Sequence, residues 1–171
     1  MTIIHLVEGP VGAGKSTYAA RLAADCRAPH LNLDAWFAAL FSPDRPAQDV
    51  MQWYVERKWR CVDQLWALGR GLAALGNDVV LELGLIARAD REVIYRRADE
   101  AGVRLVVHAL DAEREVRRAR VRQRNQERGP TFSMLVPDAM FDLASDRWEP
   151  PDAEECAQHE IRHVRTDAGH G

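Results

Sequence analysis

The chain has 171 residues, 47% of them apolar, enough to bury one substantial core. A net charge of −3 supplies no general field for nucleic acid or a membrane surface, and no window approaches the ~20 apolar residues needed to cross a bilayer. Cys26, Cys61 and Cys156 lie far apart and form no CxxC pair, which argues against a disulfide framework or a zinc site. Met1 leads directly into a short β-like run with no charged leader, so a cytoplasmic protein is expected.

Taken in order, "IIHLV" (Ile3–Val7) reads as a strand and feeds the glycine-rich "GPVGAGKST" (Gly9–Thr17). Lys15 to Cys26 is helical by its Ala/Leu content and three-to-four spacing, and His30–Leu33 is a short second strand. Pro43 and Pro46 mark a loop. Met51–Leu75 is a long helix with Trp59 and Trp66 seven apart on one face, and it stops at Gly76-Asn77. Asp78–Leu83 is a buried strand, Ala89–Ala101 a helix ended by Gly102, and Arg104–Leu110 another strand. An arginine-rich helix follows from Glu113 to Gln126 and is broken by Gly129-Pro130. Pro137–Ser145 is a short helix, His159–Val164 a last strand, and the terminal "DAGHG" is expected to fray. Strands separated by helices of this length imply βαβ crossovers and a mainly parallel sheet, organised as a single domain.

Gly9, Gly14, Lys15 and Ser16 complete the pattern G-x-x-x-x-G-K-[ST] between a strand and a helix. Glycines let the backbone wrap its N–H groups around a phosphate. Gly9, Gly12, Ala13, Gly14, Lys15, Ser16 and Thr17 therefore form a candidate cradle for a nucleoside triphosphate. Lys15 would reach the β- and γ-oxygens and the Ser16 hydroxyl would ligate Mg²⁺. The helix opening at Lys15 turns its positive dipole end to the same anion. Only two of 23 basic residues are lysines, Lys15 and Lys58, which makes a lysine at the motif position harder to ascribe to chance.

The phosphate could be transferred, hydrolysed to drive a switch or motor, or simply bound. A GTPase's base-reading Asn-Lys-x-Asp is absent, and "DEAG" (Asp99–Gly102) closes a helix instead of following a strand. No apolar strand ends in Asp-Glu, as a motor ATPase would require. Transfer is the favoured reading.

At this point the sequence resembles the small P-loop kinases of the AAA_33, polynucleotide-kinase-like and zeta-toxin-like group, and it is similar to chloramphenicol phosphotransferase and gluconate-kinase-like enzymes. The strings "GPVGAGKST", "LNLDAWF", "VVLELGLIARADR", "LDAEREVRRARVRQRN" and "RWEPPDAEE" carry the resemblance, from Ile3 to about Glu155. It implies a three-layer α/β P-loop NTPase fold with about five parallel strands in the order 2-3-1-4-5, helices on both faces and an arginine-rich lid. It also implies ATP and Mg²⁺ as cofactors and γ-phosphate transfer to a hydroxyl.

Candidate residues follow. Asp34 stands where the resemblance places a general base; its alternative is to cap a helix starting at Ala35. Arg117, Arg120 and Arg124 share one helix face and could neutralise transferring phosphate, with Arg120 and Arg124 the better family matches. Seven arginines between Arg114 and Arg128 make a solvated face the alternative for most of them. Glu82 ends an apolar strand where relatives place an acidic residue, many of them Asp, near Mg²⁺; its alternative is a pair with Arg88. Arg88 and Arg91 could grip an acceptor. Trp36 and Phe37 could stack on a flat acceptor or belong to the core, and Arg57 could face the acceptor cleft. His5 and His108 fall in strand patterns and read as core residues. A small-molecule acceptor (nucleoside, sugar, nucleotide sugar or antibiotic) is favoured over the 5′-hydroxyl of a polynucleotide, and a non-kinase ATPase or nucleotide-binding switch is the reading of another class. The sequence assigns no oligomeric state.

Overall fold

The computed structural model describes residues 2–129 and 135–167. Pro130, half of the break expected after the arginine helix, and residues 168–171 of the terminal stretch expected to fray lie outside the described residues.

Five parallel strands form one sheet: β1 (Ile3–Glu8), β2 (His30–Asn32), β3 (Val79–Glu82), β4 (Arg104–Asp111) and β5 (Ile161–Arg165), in the order β2-β3-β1-β4-β5. The central strands are buried on both faces, which is why they read as continuous apolar runs. Side chains still alternate. Ile4, Leu6, Val79, Leu81 and Val107 face one layer, formed by α2 (Leu33–Leu40), α3 (Val50–Ala74) and α4 (Arg88–Ala101). Val7, Val80 and Leu110 face α1 (Lys15–Cys26) on the other side. In α3, Gly69 lets the helix come down onto β3: an added Cβ would lie 3.2 Å from Leu81.

The arginine-rich helix is α5 (Arg114–Glu127), followed by α6 (Asp138–Asp146) and α7 (Ala153–Gln158). Val121, Val136 and Phe141 form a small separate core beneath Val11 of the glycine-rich loop. No helix among the described residues is long and apolar enough to cross a membrane.

Three local differences from the sequence reading have physical causes. Leu33, expected to close β2, opens α2 instead, because the Asn32 side chain accepts from Ala35 N–H at 2.9 Å and caps the helix. The last strand begins at Ile161, not His159, because His159 terminates α7 and stacks on Tyr95 at 3.9 Å. The reading missed α7, although Asp152 and Glu155 form a reciprocal capping box at its start.

Candidate functional site

The carboxyl edge of the sheet gathers the loop after β1, the start of α2, the end of β3 and the inner face of α5. The loop turns at Gly14 with φ 85°, and nothing lies within 4 Å of where a Cβ would stand. Gly12 has φ 79°, and an added Cβ would fall 2.6 Å from the Arg117 carbonyl oxygen. That close approach fixes the loop against α5. Lys15 Nζ folds back across the loop and donates to the Gly9 and Pro10 carbonyls at 2.9 and 3.0 Å. Its ammonium thus stands over the concavity formed by the loop. Ala13 is fully buried, and Thr17 lies in the first turn of α1.

Glu82 is the hub of the site. Ser16 Oγ donates to Glu82 Oε1 at 2.8 Å, Asn32 Nδ2 donates to Oε2 at 2.6 Å, and His30 Nε2 lies 3.1 Å from the same oxygen. Burial by itself would raise this carboxyl, but the hydrogen bonds from His30 and Ser16 and the charge of Lys15 hold it below the ordinary glutamate value. It is therefore an anion in contact with the Ser16 hydroxyl. The alternative of a Glu82–Arg88 pair is replaced by these partners. Arg88 instead meets Glu92 and Glu154, each at 2.8 Å, and also Asp152.

Asp34 sits in the first turn of α2, which Asn32 caps, so the capping alternative does not hold. Its side chain remains open to solvent, yet protein crowds around it. That crowding raises its pKa, Glu82 raises it further, and Lys15, Arg124 and Lys58 oppose the rise. Asp34 thus shares one electrostatic neighbourhood with the lysine of the loop, the Glu82 hub and one arginine of α5.

The arginines of α5 divide by face. Arg114 pairs with Asp142 and Asp146, Arg118 with Asp142 and Arg122 with Asp138, all carboxylates of α6. Arg117 is buried and donates to the Val11 and Ala112 carbonyls and to Ser145 Oγ, all at 3.0 Å, so it buttresses the loop from behind. Arg120 bonds Thr166, whose hydroxyl donates to the Ala13 carbonyl at 2.8 Å. Arg124 is half-buried, with a buried Nε that has no hydrogen-bond partner among the described residues.

Other candidates stand apart from this cluster. Arg57 donates to the Trp53 carbonyl and lies over the Trp53 ring at 4.9 Å. Trp36 is exposed, whereas Phe37 is buried core against Phe41, Trp53 and Tyr54. Arg91 is fully buried and makes two bonds to Glu155, at 2.9 and 2.8 Å, so it cannot grip a ligand.

Two charged residues of the site escaped the sequence reading. Glu8, the last residue of β1, is fully buried; its Oε2 accepts from Leu85 N–H at 2.9 Å and its Oε1 has no hydrogen-bond partner among the described residues. Lys58 is buried too, donating to the Gly84 carbonyl at 3.1 Å and lying 3.6 Å from Asp90. Lys58 had a signal, since it is one of only two lysines among 23 basic residues. Glu8 had another, as the first charge to end an apolar run.

Comparison with known proteins places this geometry. A family model described as an AAA domain, AAA_33, matches residues 4–151. The chain is similar in structure to Kti12 of Chaetomium thermophilum in complex with ADP-AlF3 (TM-score 0.73, 16% identity, covering 98% of this chain and 91% of that one). It is likewise similar to a sugar kinase of Janibacter sp. HTCC2649 (TM-score 0.66, 18% identity, 96% and 86%). A third likeness is to the Pnkp1/Rnl/Hen1 RNA repair complex (TM-score 0.64, 15% identity, 85% and 43%). No curated protein matches the sequence. The sheet order and these likenesses establish a P-loop NTPase fold.

Proposed function

The chain belongs to the AAA_33 family of AAA domains, and from that premise we propose that it is a phosphotransferase, a single P-loop kinase-like domain moving the γ-phosphate of ATP to a hydroxyl of a small molecule. One observation carries the reading. Lys15, the Ser16–Glu82 pair and Asp34 converge on one edge of the sheet, where ligands bind in open α/β folds. A nucleotide switch needs the first two; an accessible carboxylate beside them suits an acceptor.

Asp34 takes the proton of the acceptor hydroxyl as its oxygen attacks the γ-phosphorus, and the bond from that phosphorus to the bridging oxygen breaks to release ADP. A carboxyl with a raised pKa is a better base near neutrality. Lys15 and the amides of Gly12 to Ser16 neutralise the phosphates, and Arg124 offers an unpaired donor to the charge developing on the transferred group. Ser16 Oγ and Glu82 supply the oxygen donors that Mg²⁺ prefers, and would hold it beside the loop. When bound, that ion neutralises charge on the β- and γ-oxygens. That the similar Kti12 structure is a complex with ADP-AlF3 supports a nucleotide as a ligand of this chain.

Transfer of labelled γ-phosphate tests the proposal. The acceptors are nucleosides, sugars, a nucleotide sugar, chloramphenicol, an aminoglycoside and a 5′-hydroxyl oligonucleotide; Lys15→Ala and Asp34→Asn are the controls. Label is expected in one small-molecule class, falling roughly 10²–10⁴-fold in Asp34→Asn with ATP affinity retained. Label in the oligonucleotide alone would move the acceptor to nucleic acid. Release of free phosphate only, unchanged in Asp34→Asn, would replace transfer by hydrolysis.

A further inference from the structure

At the amino edge of the same sheet, opposite the P-loop, lies a cluster that the phosphotransfer reading does not use. His5 of β1, Cys26 at the end of α1 and Asp78 just before β3 bring one ligand atom each to within 4.8 Å of one another. Cys26 and Asp78 rim an open surface pocket that Thr2, Arg27 and Asn77 also line, and His5 is buried beside them. The alternation of the strands puts them there. His5, His108 and Asp78 occupy positions in register with Val7, Leu110 and Val80, whose side chains face α1, and α1 ends at Cys26.

We propose that His5, Cys26 and Asp78 form a binding site for a transition metal of the zinc class, with a fourth coordination position open to the pocket. The donor set of imidazole, thiolate and carboxylate is the one Zn²⁺ takes. Zinc bonds of about 2.0–2.3 Å place ligand atoms roughly 3.3–3.8 Å apart. His5 Nε2 and Cys26 Sγ are already 4.0 Å apart. Small rotations of Cys26 and Asp78, both at the partly open rim, close the remainder.

Support behind the ligands is the second observation. His5 is 4% exposed, and its Nδ1 lies 3.0 Å from His108 Nε2; Tyr18 Oη lies 2.8 Å from His108 Nδ1. The contact between the two rings is a hydrogen bond when one of the facing nitrogens carries a proton and the other a lone pair. The relay can then run in two directions. With Tyr18 donating inward, the proton of His5 sits on Nε2 and faces the cluster. With His5 Nδ1–H donating to His108 Nε2, and His108 Nδ1–H to Tyr18 Oη, His5 Nε2 presents a lone pair. A metal selects the second direction, and the buried relay then holds the ring in its ligating orientation. Asp78 is anchored through one oxygen, since Oδ1 accepts from Ile3 N–H at 2.8 Å, and its carboxylate can still turn about that contact. Arg104 and Arg162, the cations closest in effect to His5, are both paired with Glu160. Binding releases the Cys26 thiol proton to solvent and leaves a thiolate on the metal.

The test is titration of the intact chain with Co²⁺, followed by displacement with Zn²⁺. The expected result is one Co²⁺ per chain, with a thiolate-to-cobalt charge-transfer band in the near ultraviolet that Zn²⁺ abolishes. Cys26→Ser should lose that band. Tyr18→Phe should keep it and weaken binding by roughly 10-fold. Zn²⁺ should raise the thermal midpoint of the wild type but not of Cys26→Ser. A separate pair, Cys156 and His163, has sulfur and nitrogen 3.4 Å apart at the surface, so Cys156→Ser serves as the control and should retain the band. No charge-transfer band in folded wild-type protein, or a band that survives Cys26→Ser and vanishes in Cys156→Ser, would overturn the proposal.

Discussion

Glu8 carries a carboxyl group into the interior immediately before the phosphate loop, with Oε2 accepting from Leu85 N–H and Oε1 without a hydrogen-bond partner among the described residues. Burial pushes its carboxyl from 4.5 up to about 8, against the pull of Lys15, the Leu85 N–H, Lys58 and Arg91. Between those values the folded protein holds a proton that the unfolded chain has released. The stability contributed by protonated Glu8 is therefore complete below about pH 4.5 and lost as pH rises through about 8. Glu8→Gln keeps the shape and removes the titration. Urea unfolding across that range should show a smaller fall in stability with pH for Glu8→Gln. Above about pH 8 the variant should exceed wild type by on the order of a few kcal/mol; parallel pH profiles would mean Glu8 does not titrate there. The loop residues Gly9 to Thr17 were legible in the sequence because their chemistry depends on order along the chain. Glu8 and Lys58 had only compositional and positional signals there, because what distinguishes them is burial, a property of the packing of α3 and the loop after β3.

Among the elements, α5 shows how one run of arginines is divided. Its outer face is committed to carboxylates of α6 and its inner face to the loop, where Arg117 donates to the Val11 carbonyl and Gly12 packs against the Arg117 carbonyl. Gly12→Ala meets both a left-handed φ and a 2.6 Å clash, which together cost roughly 1–3 kcal/mol. Thermal unfolding should register that loss, and ATP affinity should fall with it as loop and helix separate; a variant equal to wild type in both would show that the contact gives way freely. The sharing of one helix face by Arg117, Arg120 and Arg124 could be read from spacing. Their different fates could not, because they are decided by what α6, Thr166 and the loop bring to that face. The capping box of α7 was legible and passed over, since Asp152 and Glu155 stand three apart in the sequence.

Across the whole molecule, β1 lies at the centre of the sheet between β3 and β4, so the phosphate loop rests on its most buried part. The order of the strands came from the family resemblance, while the strands themselves came from their apolar runs. The cluster of His5, Cys26 and Asp78 came from neither, because it exists only once three distant segments meet. Closure of the molecule depends in part on a buried ion pair: Arg91 of α4 holds Glu155 of α7 with two bonds, joined by Tyr95. Glu155→Ala strands the Arg91 charge inside and should cost roughly 3–5 kcal/mol in urea unfolding, whereas replacing both partners with apolar residues should cost less. Equal losses in the two proteins would deny the pair that role. Asn32 has a consequence of another kind, since one amide group caps α2 through its oxygen and holds Glu82 through its nitrogen. A nucleotide complex that draws Ser16 away from Glu82 changes what Asn32 is holding, at the helix end beside Asp34. In the proposed transfer reaction the affinities for nucleotide and acceptor would then be linked through that side chain, each altering the other by the same factor.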